Sequence, residues 1–171
     1  MHKEQKAFCN KVKFLYPDKF RDKLVYDFGS YDVNGNNRYL FTDCEYIGID
    51  IHKGKNVDVV CPAHKLDFGQ CDVVISTEML EHDKHWKESL NNMIQHLEPG
   101  GLMIITCATD GRKEHGTRRT TRRDSPATLD YYHNIGEQEF EEVMQREENF
   151  EMSVLEVDTT RGDLYFYGIK K

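Results

Sequence analysis

Several features that would assign this chain to other classes of protein are missing from its sequence. No apolar run approaches the roughly 20 residues that are needed to cross a bilayer. The opening Met-His-Lys-Glu-Gln-Lys lacks the apolar segment of a secretory signal, and the formal net charge of −7 argues against general nucleic-acid binding. We therefore expect a cytoplasmic protein that binds neither DNA nor membranes.

Two kinds of motif are missing as well. The five cysteines never form a Cys-x-x-Cys pair, which predicts reduced thiols rather than zinc or disulfide sites. The Gly-x-Gly-x-x-Gly pattern of dinucleotide-binding domains does not occur, which weighs against a nicotinamide-dependent reductase.

Strand and helix patterns alternate along the chain. Runs rich in β-branched and aromatic residues predict strands, and apolar residues at helical spacing between them predict helices. The predicted strands cover 25–28, 45–50, 57–60, 72–77, 102–107, 150–157 and 163–169, and the predicted helices cover 3–16, 36–41, a segment from 83 to about 98, and a segment around 140–144. This alternation predicts a three-layer α/β/α sandwich whose seven-stranded, mostly parallel sheet carries an antiparallel edge strand pair.

A dense turn follows the first predicted strand. Asp27, Gly29 and Ser30 stand at its carboxyl end, where an α/β sheet binds nucleotide-like ligands. Gly29 has no Cβ, so a ligand can lie against the backbone there. Asp50 ends the next strand about 20 residues later, where a ribose-binding carboxylate is expected. The alternative is a simple turn between a strand and a helix, but the spacing to Asp50 favours ligand binding.

Four stretches together resemble a known family. They are Val25-Tyr-Asp-Phe-Gly29, Ile47-Gly-Ile-Asp50, Asp72-Val-Val-Ile-Ser-Thr-Glu-Met-Leu-Glu-His82 and Leu97-Glu-Pro-Gly-Gly-Leu-Met-Ile-Ile-Thr106. On these motifs the chain resembles the class I S-adenosylmethionine-dependent methyltransferases, in their small "type 11" form. The resemblance implies a Rossmann-like sheet with strand order 3-2-1-4-5-7-6 and the production of S-adenosylhomocysteine.

The same resemblance divides the chain and assigns its cofactor site. It implies one methyltransferase domain in 1–171, with an N-terminal helix in 1–22, a cofactor-binding core in 23–108, a substrate loop in 109–136, and a C-terminal helix and strand pair in 137–171. The cofactor-binding residues that it implies are Asp27, Gly29, Ser30, Tyr31, Asp50, Ile51, Ala63, His64, Thr77 and Glu78. Pro62 stands where many relatives have an adenine-binding Asp, so the Ala63 amide or His64 is expected to replace that contact.

Methyl transfer needs a general base only when the acceptor carries a proton on its nucleophile. The catalytic candidates at the predicted strand ends are His82, His115 and Tyr132, although His82 could instead cap a helix and Tyr132 could simply pack. Some relatives bind a divalent metal through the pattern Glu78-x-x-Glu81-His82, but many relatives with this pattern are metal-free. We therefore expect no metal.

The segment after the fifth strand is rich in arginine. Within 110–123, six basic residues stand against two acidic ones in an otherwise acidic protein, so Arg118 and Arg119 are predicted to bind a small acceptor that carries phosphate or carboxylate. Tyr131 and His133 are predicted to close over that acceptor, and the alternative is that this segment packs beneath the loop. The alternatives are a solvated loop and, for the whole chain, a cofactor- or nucleotide-binding module without transferase activity that serves as a regulator or partner subunit.

Overall fold

The computed structural model describes residues 2–171, and a seven-stranded sheet forms its centre. The strands are β1 (Leu24–Phe28), β2 (Glu45–Asp50), β3 (Val59–Val60), β4 (Cys71–Thr77), β5 (Leu97–Ala108), β6 (Phe150–Asp158) and β7 (Asp163–Lys170). The α-helices are α1 (Lys3–Leu15), α2 (Trp86–His96), α3 (Glu137–Met144) and α4 (Arg146–Asn149).

The strand order is β3-β2-β1-β4-β5-β7-β6, which confirms the order and the fold class that the sequence predicts. β1 to β5 pair in parallel, whereas β7 runs antiparallel to both β5 and β6. The order reverses between β1 and β4, so a crevice is expected beyond their carboxyl ends.

Two apolar layers cover the sheet because successive strand residues point to opposite faces. In β4, Val73 belongs to the layer that contains Val12 of α1, whereas Val74 belongs to the layer that contains Leu90 of α2 and Phe140 of α3. All five side chains are buried. The sheet therefore lies between α1 on one face and α2 and α3 on the other.

The structure departs from the predicted elements at two connections. The chain between β1 and β2 forms a single 3₁₀ turn, Arg38–Leu40, where a short helix over 36–41 was predicted. α2 ends at His96, and the Pro99-Gly100-Gly101 segment, predicted to end this helix, already belongs to β5. Asp83 accepts hydrogen bonds from the His85 amide and the Ser89 hydroxyl, so it supports the start of α2 from outside the helix.

The structure also describes the state of the cysteines and the character of the helices. All five cysteines are free, and Cys9, Cys71 and Cys107 are buried. Within residues 2–171, no helix combines the length and apolar character that spanning a membrane requires.

Candidate active site

One cavity of about 770 Å³ opens at the carboxyl edge of the sheet. Its walls include Gly29 after β1, Asp50 at the end of β2, and Thr77 at the end of β4. Parallel strands bring their carboxyl ends to the same edge, so residues far apart in the sequence meet there. The segment 124–131 of the long loop forms part of the opposite wall.

The turn after β1 depends on glycine at position 29. Gly29 has a φ of +79°, and a Cβ placed on it would lie 2.4 Å from the Cγ of Met79. Its amide and that of Ser30 both donate to the Ile49 carbonyl, at 2.9 and 3.1 Å, which holds the turn against β2. The side chain of Met79 therefore covers the turn, and only a residue without a side chain fits beneath it.

A buried polar network supports Asp27, which is 2% exposed. Tyr46 donates its phenol hydroxyl to the Asp27 carboxylate. Asn37 donates to the Thr77 hydroxyl at 3.0 Å and accepts from the Gln5 amide at 3.2 Å. Burial raises the pKa of Asp27 to about 6, while the hydrogen bonds from Tyr46 and Asn37 oppose that shift. This network connects α1, β1, β2 and β4 beneath one wall of the cavity.

The Asp50 carboxylate is held by the backbone on both of its oxygens. One oxygen accepts from the Tyr31 amide at 3.1 Å, and the other accepts from the His52 amide at 2.8 Å. The rings of Tyr31 and His52 stack with centroids 4.8 Å apart. Burial raises the pKa of Asp50. The carboxylate is thus fixed in orientation, and each oxygen retains lone pairs that can accept from a ligand hydroxyl.

Histidines line the part of the cavity next to β3. The rings of His64 and His85 lie 4.3 Å apart, and the Nδ1 of His64 is buried without a hydrogen-bond partner. Ala63 is buried beside Pro62, while Ile51 is 44% exposed at the cavity wall. These residues offer an apolar surface together with one unused polar atom, a combination that suits a flat heteroaromatic ring.

Glu78 lies at the opposite part of the cavity and has an uncommon backbone conformation for a side-chain-bearing residue, with φ +57°. Its carboxylate accepts from the Thr106 hydroxyl at 2.7 Å and lies 3.3 Å from the Nε2 of His2. Burial alone would raise the pKa of Glu78, but the contacts with His2 and Thr106 and the charge of Arg112 together outweigh it, so the pKa is lowered. The contact with Glu78 raises the pKa of His2. Both side chains line the cavity.

The three predicted catalytic residues lie together. The ring centroids of His82, His115 and Tyr132 are 5.0 to 5.5 Å from one another. Burial and the neighbouring His115 lower the pKa of His82 to about 4, so this imidazole is neutral at pH 7. His82 and His115 line the cavity, whereas Tyr132 packs behind them.

A buried carboxyl group adjoins this cluster. Neither oxygen of Glu81 makes a full hydrogen bond, although the amides of Glu81 and Ala108 lie close enough to favour its charged form. Burial, reinforced by Glu78, raises the pKa of Glu81 well above its usual value. Glu81, His82 and His115 bring potential metal-binding atoms within 4.8 Å of one another. Glu78, which the sequence motif groups with Glu81 and His82, faces His2 instead.

The arginine-rich loop pairs mainly with its own acidic residues. Arg118 contacts Asp130 at 2.5 Å, and Arg119 contacts Glu114 at 2.9 Å, both on the surface. Neither arginine lines the cavity, so the prediction that they bind substrate has no geometric support in this structure. Arg112 lines the cavity instead.

The structure brings most, but not all, of the predicted residues to one place. All ten predicted cofactor-binding residues line the cavity, as do His82, His115 and Tyr131. His133 does not: it lies 3.1 Å from Glu139 of α3 and stacks on Trp86.

The cavity residues that were not predicted to belong to the site include His2, Asn37, Met79 and Arg112. Asn37 stands in an asparagine-rich turn that the sequence marks clearly, and Arg112 belongs to the basic segment. The start of α1 carries no local signal that would place His2 over the cavity.

The methyltransferase family model, described as "Methyltransferase domain", matches residues 1–155 of this chain. No curated protein sequence matches at a significant level.

Solved structures share the fold at low sequence identity. The 1,6-didemethyltoxoflavin-N1-methyltransferase of Burkholderia thailandensis, solved with S-adenosylhomocysteine, is 17% identical and has a TM-score of 0.65, and the match covers 98% of this chain and 78% of that one. The N-methyltransferase NodS of Bradyrhizobium japonicum is 11% identical, with a TM-score of 0.61 and coverage of 97% and 96%. Magnesium protoporphyrin IX methyltransferase of Synechocystis, solved with S-adenosylmethionine, is 13% identical, with a TM-score of 0.64 and coverage of 98% and 80%.

Proposed function

We propose that this chain transfers a methyl group to a small acceptor bound in the cavity. The premise is that the chain belongs to the methyltransferase domain family and is a class I S-adenosylmethionine-dependent methyltransferase. The observation that carries the proposal is the convergence of the Gly29 turn, the Asp50 carboxylate and the end of β4 on one cavity. Neighbouring structures that hold S-adenosylmethionine or S-adenosylhomocysteine support the same cofactor.

Each part of the cofactor finds a matching part of the cavity. Asp50 accepts the ribose hydroxyls, and Ile51 and Ala63 lie against the adenine, whose polar edge His64 can contact. The methionine portion lies at Gly29 and Ser30, whose hydroxyl is buried without a hydrogen-bond partner. S-adenosylmethionine carries no phosphate, so the turn needs only the one close approach that Gly29 allows.

The protein's own task in the reaction is mainly to position the reactants. The methyl carbon is already activated by the sulfonium, so holding the acceptor in line with the carbon–sulfur bond supplies much of the acceleration. His82 is neutral at pH 7 and lines the cavity, so it can accept a proton from the acceptor. His115 and Tyr132 orient its ring.

An acceptor that carries phosphate or carboxylate remains part of the proposal, but different residues support it. Arg112, Lys65 and Lys84 line the cavity. Neither lysine forms an ion pair within the part of the chain that the structure describes, so both are free to meet an anionic group near the mouth of the cavity.

Binding calorimetry with S-adenosylmethionine tests the cofactor site. Asp50→Ala should weaken binding about 10- to 100-fold, because hydrogen bonds to a charged group contribute about 1.5–3 kcal/mol. Asp67→Ala, which removes an exposed acid outside the cavity, is the matched control and should bind as the wild type does. Equal affinity of the wild type and Asp50→Ala would refute the assignment, and release of S-adenosylhomocysteine with an acceptor pool would establish turnover.

A further inference from the structure

Four charged side chains meet at the part of the cavity beside the end of β4. The two carboxylates, Glu78 and Asp163, and the imidazole of His2 bring potential ligand atoms within 4.8 Å of one another. Arg112 joins them, with its guanidinium 2.6 Å from Asp163. His2 also lies 3.4 Å from Glu4, so its ring is placed between two carboxylates.

These four groups form two ion pairs, Asp163 with Arg112 and Glu78 with His2. Asp163 is fully buried, does not line the cavity, and neutralises Arg112 from behind while it accepts from the Tyr165 hydroxyl. Glu78 does line the cavity, and its one close cationic partner among residues 2–171 is His2. The cavity wall therefore presents a carboxylate whose counter-charge is a titratable ring at the start of α1.

Glu78 directly follows Thr77 at the end of β4, on the wall of the cavity that would hold the cofactor, so its charge bears on which nucleophile can react there. Methyl transfer removes the positive charge from sulfur, and a neutral amine that receives the methyl group acquires that charge, whereas an oxyanion becomes neutral. An ionised carboxylate beside the reacting atoms stabilises a cationic product and repels an anionic nucleophile. A carboxylate held by Thr106 and His2 is already oriented for this task.

We propose that the acceptor is a primary or secondary amine, whose nitrogen binds at the Glu78 carboxylate in place of the His2 imidazolium. This inference rests on the proposed methyltransferase function and names the atom that is methylated. The ammonium gives its proton to the neutral His82 imidazole, which lines the same cavity, and the freed lone pair forms the nitrogen–carbon bond. The carbon–sulfur bond breaks, its electron pair stays on sulfur, and the nitrogen carries the positive charge that the sulfonium loses.

Sinefungin provides a direct probe, because it carries an ammonium group where the cofactor carries its transferable methyl group. In the wild type, sinefungin should bind at least tenfold more tightly than S-adenosylhomocysteine in calorimetry. In Glu78→Gln this preference, measured as the ratio of the two affinities on the same variant, should fall below threefold. The exposed Glu88→Gln on α2 is the matched control and should keep the full preference.

His2→Gln supplies a second variant that does not disturb the hydrogen bond between Glu78 and Thr106. Removing the competing imidazole should increase the affinity for sinefungin severalfold and leave that for S-adenosylhomocysteine unchanged. A wild type without preference for sinefungin, or a preference that survives in Glu78→Gln, would overturn the inference while leaving the cofactor assignment intact. Failure to bind S-adenosylhomocysteine at all would instead overturn the proposed function.

Acceptor pairs then test the chemistry itself. The wild type is incubated with deuteromethyl S-adenosylmethionine and a panel in which each primary amine is paired with the alcohol of the same carbon skeleton. Mass spectrometry should find the label on nitrogen in the amine members, and label on the oxygen of the alcohol members would contradict the inference.

Discussion

Tyr46→Phe removes one hydroxyl from the network beneath the cofactor site, and its effect should depend on pH. The Tyr46 hydroxyl donates to the Asp27 carboxylate, and both residues are buried. A hydrogen bond to a charged group contributes about 1.5–3 kcal/mol, whereas one between neutral groups contributes about 0.5–1.5 kcal/mol. Because a difference of about 1.4 kcal/mol corresponds to one pKa unit, the variant should raise the pKa of Asp27 from about 6 to about 7.

The direction of the pH dependence follows from that shift. Since the pKa of Asp27 in the folded protein lies above its ordinary value, the folded state binds the proton more tightly than the unfolded state does. The stability that this group contributes is therefore present at pH 4 and lost as the pH rises through about 6. In Tyr46→Phe the stability that protonated Asp27 contributes continues to fall until about pH 7. Relative to the wild type, the variant should therefore be destabilised by about 1 kcal/mol at pH 5 and by about 2 kcal/mol at pH 8.

Urea unfolding at the two pH values measures this difference. Tyr39→Phe is the matched control, because the Tyr39 hydroxyl lies at the surface beside Asn10, and its stability should stay within about 0.5 kcal/mol of the wild type. Equal destabilisation of Tyr46→Phe at pH 5 and pH 8 would show that the hydroxyl does not stabilise ionised Asp27.

Three further substitutions test other parts of the site. Gly29→Ala should abolish cofactor binding and destabilise the fold by about 1–3 kcal/mol, because the new methyl group meets Met79 at a positive φ. Adding Met79→Ala to this variant should restore only part of the lost binding and stability. Undiminished cofactor binding by Gly29→Ala alone would refute the packing argument. Replacing Arg118 and Arg119 together by alanine should leave the KM for the acceptor unchanged at low salt, since neither arginine lines the cavity. A large rise in KM would show that the two arginines bind the acceptor. His82→Gln should lower kcat at least tenfold while calorimetry shows unchanged affinity for S-adenosylhomocysteine, and an unchanged kcat would remove His82 from the reaction.

The sequence predicts the sheet well because each strand carries its own apolar signal. The run Asp72-Val-Val-Ile-Ser-Thr predicts β4 almost to the residue, and the strand order follows from the family resemblance. The misjudged connections are places where tertiary context outweighs local propensity. Pro99 and Gly100 are poor strand residues, but Lys19 donates to the Gly100 carbonyl at 2.7 Å, and β5 extends through both.

In the candidate site, too, some residues are predictable from the sequence and others depend on tertiary contacts. Residues fixed by strand ends, such as Gly29, Asp50 and Thr77, are predictable because parallel strands bring their carboxyl ends together. The ion pairs of the loop arginines were not predictable, because a count of nearby charges does not show which pairs form. Arg118 meets Asp130, twelve residues away, and Arg112 meets Asp163, 51 residues away.

The most direct test of the central claim compares S-adenosylhomocysteine with its 2′-deoxyribose analogue on the wild type and on Asp50→Ala. If the Asp50 carboxylate holds the ribose, the wild type should bind the natural ligand about tenfold more tightly than the analogue, and Asp50→Ala should bind the two almost equally. A wild type that does not distinguish the two ligands, or an Asp50→Ala variant that still prefers the natural ligand tenfold, would contradict the placement of the cofactor across the ends of β1 and β2.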